Sequence, residues 1–389
     1  MKILYLTALD ELDREKCGIL GKINGQINAF RKRNVEVFFG HFMGQTDFVI
    51  ENKGRSTITF SASGKTTRDR MGSLYMELLE FCKKEHVSIV YIRFMSLDAK
   101  AIRFYHNLKK ERIKVVIEFY SHNLELEAKK TVKRQMRNGQ YFSAIKGAIS
   151  AIINKKYFLK LKECVDLIVT TTPVGELYGV KTINVVNGID ADHSPARVKK
   201  DNDFDFNIIS VAMISVWHGY DRVIRGISDY YKNGGEKNIL YTVIGDGDER
   251  PNLEQMVHDL KLENHIVFAG IKLKEELNSY YDVADIALEM LAGFRRTNGL
   301  ISSIKMAEYF VKGVPVIYAA DQDAYSDERA LYCYRVSNDD SAIDIDALIE
   351  FSNNLYMQNN DIAKQMHELA KDYFDWEYTM RELMDYLKL

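Results

Sequence analysis

Short, β-branched apolar runs alternate with longer amphipathic stretches along nearly the whole sequence, and this alternation constrains the fold more than any other feature. Runs that are apolar throughout do not suit strands with one wet face. They suit a parallel sheet covered on both faces by helices, as in repeated βα units. Two series are present. The first contains Lys2–Thr7, Val35–Gly40, Ser88–Arg93, Lys114–Phe119, Asp166–Thr171 and Thr182–Val186. The second contains Asn207–Ala212, Ile239–Ile244, Ile266–Ala269, Ile286–Met290 and Val314–Ala319. Between them, Ala191–Phe206 is polar and charged and is expected to be a linker. The reading is α/β, with two tandem Rossmann-like, doubly wound parallel-sheet domains facing a cleft. The first spans 1–190, the linker 191–206 and the second 207–372. A helical C-terminal tail over 373–389, opened by Trp376, is expected to pack back on the first domain. Ligands of such domains bind at the carboxyl ends of the strands, so the loops there carry the candidate chemistry.

Composition excludes several classes. The chain has 389 residues, enough for two or three full cores, and 53 Lys and Arg against 55 Asp and Glu, a net charge of −2. No global attraction to polyanions follows, and no nucleic acid is expected as a partner. Cys17, Cys82, Cys164 and Cys333 are scattered without a C-x-x-C pair, which argues against a zinc ribbon, a redox pair or a disulfide framework. A cytoplasmic home is expected. The apolar run after Met1 is too short for a signal peptide, and no run of about 18 apolar residues occurs, so the expectation is a soluble protein or one peripheral on the inner face of the cell membrane.

The segment Leu291-Ala-Gly-Phe-Arg-Arg-Thr-Asn-Gly-Leu-Ile-Ser-Ser-Ile-Lys-Met-Ala-Glu308 follows the run Ile286–Met290 and leads into a helix ending near Gly313. Ser302 or Ser303 can cap that helix. Lys305 near its third position opposes the helix dipole by about 0.3–1 kcal/mol unless an anion sits at the N-terminus. A phosphate suits, since free N–H groups point outward there and Gly293 and Gly299 let the backbone approach. Glu308, three residues beyond Lys305, shares its face and can accept hydrogen bonds from vicinal hydroxyls. These are the elements of a nucleotide site. A Lys–Glu pair on an exposed helix gives the same pattern, and that alternative stays open.

This segment, with Gly313-Val-Pro-Val-Ile-Tyr after it, resembles the nucleotide-sugar signature of family 4 glycosyltransferases. Other motifs of that family are resembled by Asn187-Gly-Ile-Asp190, the turn closing its N-terminal domain, by Val243-Ile-Gly-Asp-Gly-Asp-Glu-Arg-Pro251, its G-x-G loop, by Val267-Phe-Ala-Gly270, its V-x-F-x-G strand, and by Gly18-Ile-Leu-Gly-Lys-Ile-Asn-Gly-Gln26, its glycine loop after the first strand. Trp217-His-Gly-Tyr-Asp-Arg222, Glu118-Phe-Tyr-Ser-His-Asn-Leu-Glu-Leu-Glu127 and Ser302-Ser-Ile-Lys-Met-Ala-Glu-Tyr309 resemble a subgroup tied to bacterial capsular and extracellular polysaccharides. The resemblance implies the GT-B fold and metal-independent, retaining transfer of a sugar, of hexosyltransferase type, from a nucleotide-diphosphate sugar, with no cofactor. It implies ribose contact for Glu308, and donor contacts for Gly18 and Gly21 in a loop after the first strand and for Gly245, Gly299, Leu300, Ser302 and Ser303. The family's first glutamate falls on Leu300, and its diphosphate-binding Arg and Lys fall on Met213 and His218. Lys305, Arg295 and Arg296 are then expected to stabilise the leaving diphosphate, with Arg222 and His218 beside the donor. For His218 the alternative is a turn residue. His122 is expected to touch donor sugar or acceptor, with Glu118 and Glu127 on the acceptor side, or else these residues shape their loop. Cys17 reads as packing rather than nucleophile. The D-x-D triplets, such as Asp246–Asp248, read as loops and acidic surface rather than metal ligands.

Residues Ala128–Lys162 hold ten Lys and Arg and no Asp or Glu, interleaved with Tyr141, Phe142, Ile145, Ile149 and Ile152. The stretch Lys129–Lys162 suits an anionic membrane surface, where a polyprenyl-diphosphate-linked glycan acceptor would reside. A solvated helical face is the alternative. Two rival readings of the whole chain remain: another GT-B enzyme, such as a sugar-nucleotide epimerase or a phosphorylase, and a silent sugar-nucleotide-binding or scaffold protein.

Overall fold

The computed structural model describes residues 1–12, 17–95, 97–119, 124–137, 139–171, 173–295, 303–320, 325–359 and 361–389, without the side chains at 17, 124–128, 130, 134, 153 and 274. The chain divides into two compact units, Met1–Asn187 with Trp376–Leu389, and Gly188–Asp375.

The first unit contains β1 (Lys2–Asp10), α1 (Cys17–Lys32), β2 (Glu36–Met43), β3 (Asp47–Asn52), β4 (Arg55–Ser61), α2 (Thr67–Lys84), β5 (Ile89–Arg93), α3 (Ala99–Lys110), β6 (Lys114–Phe119), α4 (Leu124–Arg137), α5 (Tyr141–Phe158), α6 (Leu161–Cys164), β7 (Leu167–Thr170), β8 (Glu176–Leu177) and β9 (Val180–Asn184). Its sheet runs β4-β3-β2-β1-β5-β6-β7-β9-β8 and is parallel from β2 to β9. The pleat sends successive residues of β1 to opposite cores. Leu4 and Leu6 join Leu74 and Leu78 of α2 and Phe104 of α3, whereas Ile3 and Tyr5 join Ile23, Ile27 and Phe30 of α1. The β3–β4 hairpin adds an antiparallel edge, its turn made by Lys53 and Gly54 with φ of 52° and 74°.

The second unit contains β10 (Phe206–Val211), α7 (Tyr220–Lys232), β11 (Ile239–Ile244), α8 (Arg250–Leu260), β12 (Ile266–Gly270), α9 (Lys274–Val283), β13 (Ile286–Leu288), α10 (Ile304–Lys312), β14 (Val316–Tyr318), β15 (Cys333–Arg335), α11 (Ile345–Gln358) and α12 (Ile362–Phe374). The last two helices, α13 (Trp376–Thr379) and α14 (Arg381–Leu387), return to the first unit, where Trp376, Met380, Leu383 and Leu387 share the core of α1 and the Trp376 ring lies on Gly25. The second sheet, β12-β11-β10-β13-β14-β15, is parallel throughout.

Two expectations change. The segment expected as a linker belongs to the second unit. Within it, buried Arg197 donates from Nε to the Gly313 carbonyl at 3.0 Å, from Nη1 to Tyr281 O at 2.9 Å and from Nη2 to the Tyr356 hydroxyl at 2.5 Å. One charged side chain thus fastens a stretch whose polarity suggested freedom. Gly18 and Gly21, expected in a loop, lie in α1, with open space where a Cβ would stand. The helical spacing of Ile19, Ile23, Ile27 and Phe30 outweighs the poor helix propensity of glycine.

Candidate functional site

The strand order of the second sheet reverses direction between β10 and β13, and at such a switch point the loops diverge and leave a crevice at the carboxyl ends. The loop after β11 lies backbone to backbone on the one after β10. A Cβ at Gly245 would run into the Ala212 carbonyl and one at Gly247 into that of Ile214, while Ile214 N donates to Asp246 O at 2.8 Å. Only glycine allows this approach.

After β10 comes a 3-10 turn, Val216–His218, in which buried His218 accepts from Ser215 N at 3.2 Å through Nδ1 and stacks on Tyr220. Leu291 N bonds the His218 carbonyl at 3.1 Å, tying this turn to the segment after β13. Arg222 is fully buried. Its Nε donates to Ser341 O at 2.7 Å, and Nη1 to Ser337 O at 2.9 Å and to Leu291 O. A guanidinium so committed is a brace between loops, not the donor contact expected from the sequence. Arg295 grips Asp221 through both terminal nitrogens, at 2.7 and 2.9 Å, and also bonds Asp340. The bonds to Asp221 hold its guanidinium more firmly protonated.

Helix α10 begins on Ser303, whose hydroxyl accepts from Lys305 N at 3.2 Å. On its buried face Tyr309 donates to Leu288 O at 3.2 Å and accepts from Val211 N at 3.0 Å, which ties the helix to β13 and β10 at the switch point. Glu308, half-buried in the second turn, adds to the effect of burial in raising the Tyr281 phenol. The ammonium of Lys305 stands 3.4 Å from Oε1 of Glu289, the residue after β13. Glu289 is 0% exposed, and among the described residues neither of its carboxylate oxygens has a hydrogen-bond partner. Sequence reasoning passed over Glu289. The available signal was an acid inside the apolar run Ile286-Ala-Leu-Glu-Met-Leu-Ala292. Ser303, Lys305 and Glu308 are therefore brought together by α10, with Glu289 added. Arg296, Gly299, Leu300, Ser302 and His122 lie outside the described residues, and of Glu127 only its place on α4 is described.

In the first unit, Glu118 near the end of β6 is expected on the acceptor side. It is instead saturated: Lys22 lies 2.8 Å and Arg93 3.0 Å from Oε1, and Tyr91 and Gln26 donate to Oε2 at 2.7 and 3.0 Å. Burial pushes its carboxyl up, but Lys22 and Arg93 outweigh that and hold it at about 2. No acceptor position is left for a ligand, because each oxygen already takes two donors.

On the other flank, α4 and α5 pack together, and Ser150 and Asn154 fasten α5 to Arg68 and to Leu97 N. The opposite face of α5 is open. Tyr141, Phe142, Ile145, Ile149 and Ile152 are 52–72% exposed among Lys146, Lys155 and Lys156. Among the described residues no helix is long and apolar enough to cross a membrane, and no three of His, Cys, Asp and Glu gather as a metal group.

No family model matches the chain. Over 130 residues it is 32% identical to the amylovoran biosynthesis glycosyltransferase AmsK of Erwinia amylovora, covering 33% of this chain and 28% of that one. Over 126 residues it is 26% identical to the alpha-monoglucosyldiacylglycerol synthase of Acholeplasma laidlawii, covering 32% and 30%. The chain thus matches under a third of the length of these curated relatives. The glycosyltransferase of Rickettsia africae ESF-5 has a similar structure, with TM-score 0.64 at 14% identity over 100% of this chain and 97% of that one. Sucrose-phosphate synthase of Thermosynechococcus elongatus gives 0.62 at 14%, covering 100% and 98%. Anabaena HepE, solved with UDP and glucose, gives 0.57 at 13%, covering 100% and 99%. The fold is that of the GT-B glycosyltransferases, two parallel-sheet Rossmann-like units with a helical C-terminal region.

Proposed function

We propose that this chain of GT-B fold is a retaining, metal-independent glycosyltransferase that takes a sugar from a nucleotide-diphosphate sugar and passes it to a glycan acceptor in bacterial polysaccharide biosynthesis. The observation that carries the reading is the first two turns of α10. Ser303 caps the helix, and Lys305 and Glu308 follow at the carboxyl ends of β10 and β13. The hard step in such a transfer is departure of a diphosphate from an oxocarbenium-like centre. In this reading the N-terminus of α10 and the Lys305 ammonium hold that charge, and the Glu308 carboxylate accepts ribose hydroxyls. AmsK, by its name a glycosyltransferase of amylovoran biosynthesis, supports the polysaccharide role, and the HepE complexes support a UDP-sugar as donor.

The acceptor in this reading is polyprenyl-diphosphate-linked and met on the inner face of the cell membrane. Support comes from α5, whose apolar face is surrounded by lysines and faces away from the core, the pattern of a helix lying in an anionic interface. A second reading is favoured by charge. Arg295 is neutralised by Asp221 and Asp340, and Lys305 by Glu289, so a silent sugar-nucleotide-binding protein would look the same at these positions. Incubating the full chain with labelled nucleotide sugars and a polyprenyl-diphosphate-glycan pool tests the proposal. Labelled lipid-linked product, lost in Lys305→Ala, supports transfer. Binding without product under every acceptor supports the silent reading.

A further inference from the structure

A buried carboxylate with no hydrogen-bond donor is a rare feature, because desolvating the ionised group costs several kcal/mol and native chains satisfy nearly all such groups. Glu289 is such a group. It follows β13 at the switch point, its backbone N–H is held by Ile317 O at 2.9 Å, and both carboxylate oxygens are buried without a hydrogen bond among the described residues. The single described cation paired with it, Lys305, stands at 3.4 Å, and its ammonium also makes no hydrogen bond to the described residues. Two opposite charges are therefore each left with open hydrogen-bonding capacity in one place.

The chemistry of that pair selects its ligand. A phosphate alone would satisfy Lys305 and leave the carboxylate open beside a second negative charge. A neutral sugar alone would satisfy the carboxylate and leave the ammonium without an anion. A ligand carrying hydroxyl donors next to a phosphate satisfies both. The helix N-terminus of α10 compensates the added negative charge.

We infer that Glu289 is the sugar-reading residue of the site, accepting hydrogen bonds from ring hydroxyls of the transferred sugar while Lys305 turns to the adjoining phosphate. This rests on the donor-site reading above. Glu289 then sets which sugar is taken, because a buried carboxylate discriminates strongly for hydroxyls that point at it. It contributes little to holding the nucleotide.

The test is calorimetric titration of the full chain with matched pairs: UDP and UDP-glucose, GDP and GDP-mannose, TDP and TDP-glucose, CMP and CMP-sialic acid. In the wild type, one sugar nucleotide is expected to bind more tightly than its bare nucleotide. Glu289→Gln is expected to weaken that sugar nucleotide by about tenfold or more, the value of a lost hydrogen bond to a charged group, and to leave the bare nucleotide within about twofold. Lys305→Met should do the reverse, weakening both members together. Should Glu289→Gln not fold, Glu289→Asp, which keeps the charge and withdraws it, is expected to lose the same sugar preference. Equal losses for both members of the pair in the Glu289 variant would make Glu289 only the counterion of Lys305 and overturn the inference. So would a wild type that binds a nucleotide with no preference for its sugar form, an outcome that leaves the donor site standing. A wild type that binds no member of any pair overturns the donor-site reading, and this inference with it.

Discussion

Glu118 and Glu289 are both fully buried carboxylates at the carboxyl ends of parallel strands, β6 in the first unit and β13 in the second, yet their surroundings are opposite. Glu118 receives four donors from Lys22, Gln26, Tyr91 and Arg93. Among the described residues Glu289 receives none and stands beside one ammonium. The saturated group has nothing left to offer a ligand, and it joins α1, β5 and β6 into one body. The open group sits where the strand order of its sheet reverses, the place at which this architecture leaves a crevice. Burial and charge alone therefore do not mark a functional acid. What marks it is unfilled hydrogen-bonding capacity.

The largest effect that sharpens the contrast belongs to Glu118. Glu118→Gln leaves Lys22 and Arg93 buried without their counterion and should lower unfolding stability by about 3–5 kcal/mol in urea titration. A loss below about 1 kcal/mol would break the comparison from the structural side. The same group predicts an acid response. Its carboxyl is held at about 2 against an ordinary 4.5, so its stabilisation is complete above the unfolded value and is lost as pH falls from 4.5 through 2. That contribution is about 3 kcal/mol. Unfolding midpoints taken from pH 6 to pH 2 should fall more steeply in the wild type than in Glu118→Gln, and parallel curves would count against the ion-pair account.

Next in size, if Lys305 meets the leaving charge as proposed, Lys305→Ala should cut the rate of sugar transfer about 100-fold, with a smaller change in nucleotide-sugar affinity. An equal loss in both would assign Lys305 to ground-state binding. On the exposed face of α5, Ile145→Ser, Ile149→Ser and Ile152→Ser together should abolish sedimentation with phosphatidylglycerol vesicles and shift stability by no more than about 1 kcal/mol, since these side chains already face water. Retained vesicle binding would leave attraction by the lysines as the sole contact. The smallest effect is on the stability of Glu289→Gln, within about 1 kcal/mol, because removing a buried carboxylate without hydrogen bonds relieves a desolvation cost that offsets the loss of its 3.4 Å pair with Lys305.

The two βα series were legible because their apolar runs are continuous, and β6 and β11 begin and end where those runs do. The β3–β4 hairpin was not, because β4 is almost wholly exposed and its apolar alternation is limited to Ile58 and Phe60; its signal was the left-handed turn at Lys53 and Gly54. The polar stretch around Arg197 read as free linker because a single side chain with many distant carbonyl partners leaves no local pattern. At the site, the capping serine, Lys305 and Glu308 were readable from helical spacing. Arg222 and Glu118 were misplaced by the same logic: a charged residue near a loop says nothing of whether its partners are already supplied by the fold. Glu289 escaped for the converse reason, since its lack of partners is a property of three-dimensional packing alone.

The measurement that bears most directly on the account is thermal unfolding of the full chain with UDP-, GDP-, TDP- and CMP-sugars in turn, repeated with Glu308→Gln. A rise in midpoint with one class of nucleotide sugar, diminished in the variant, is the predicted result and places the donor at α10. A rise that is undiminished in Glu308→Gln, or no rise with any of the four classes, would contradict it.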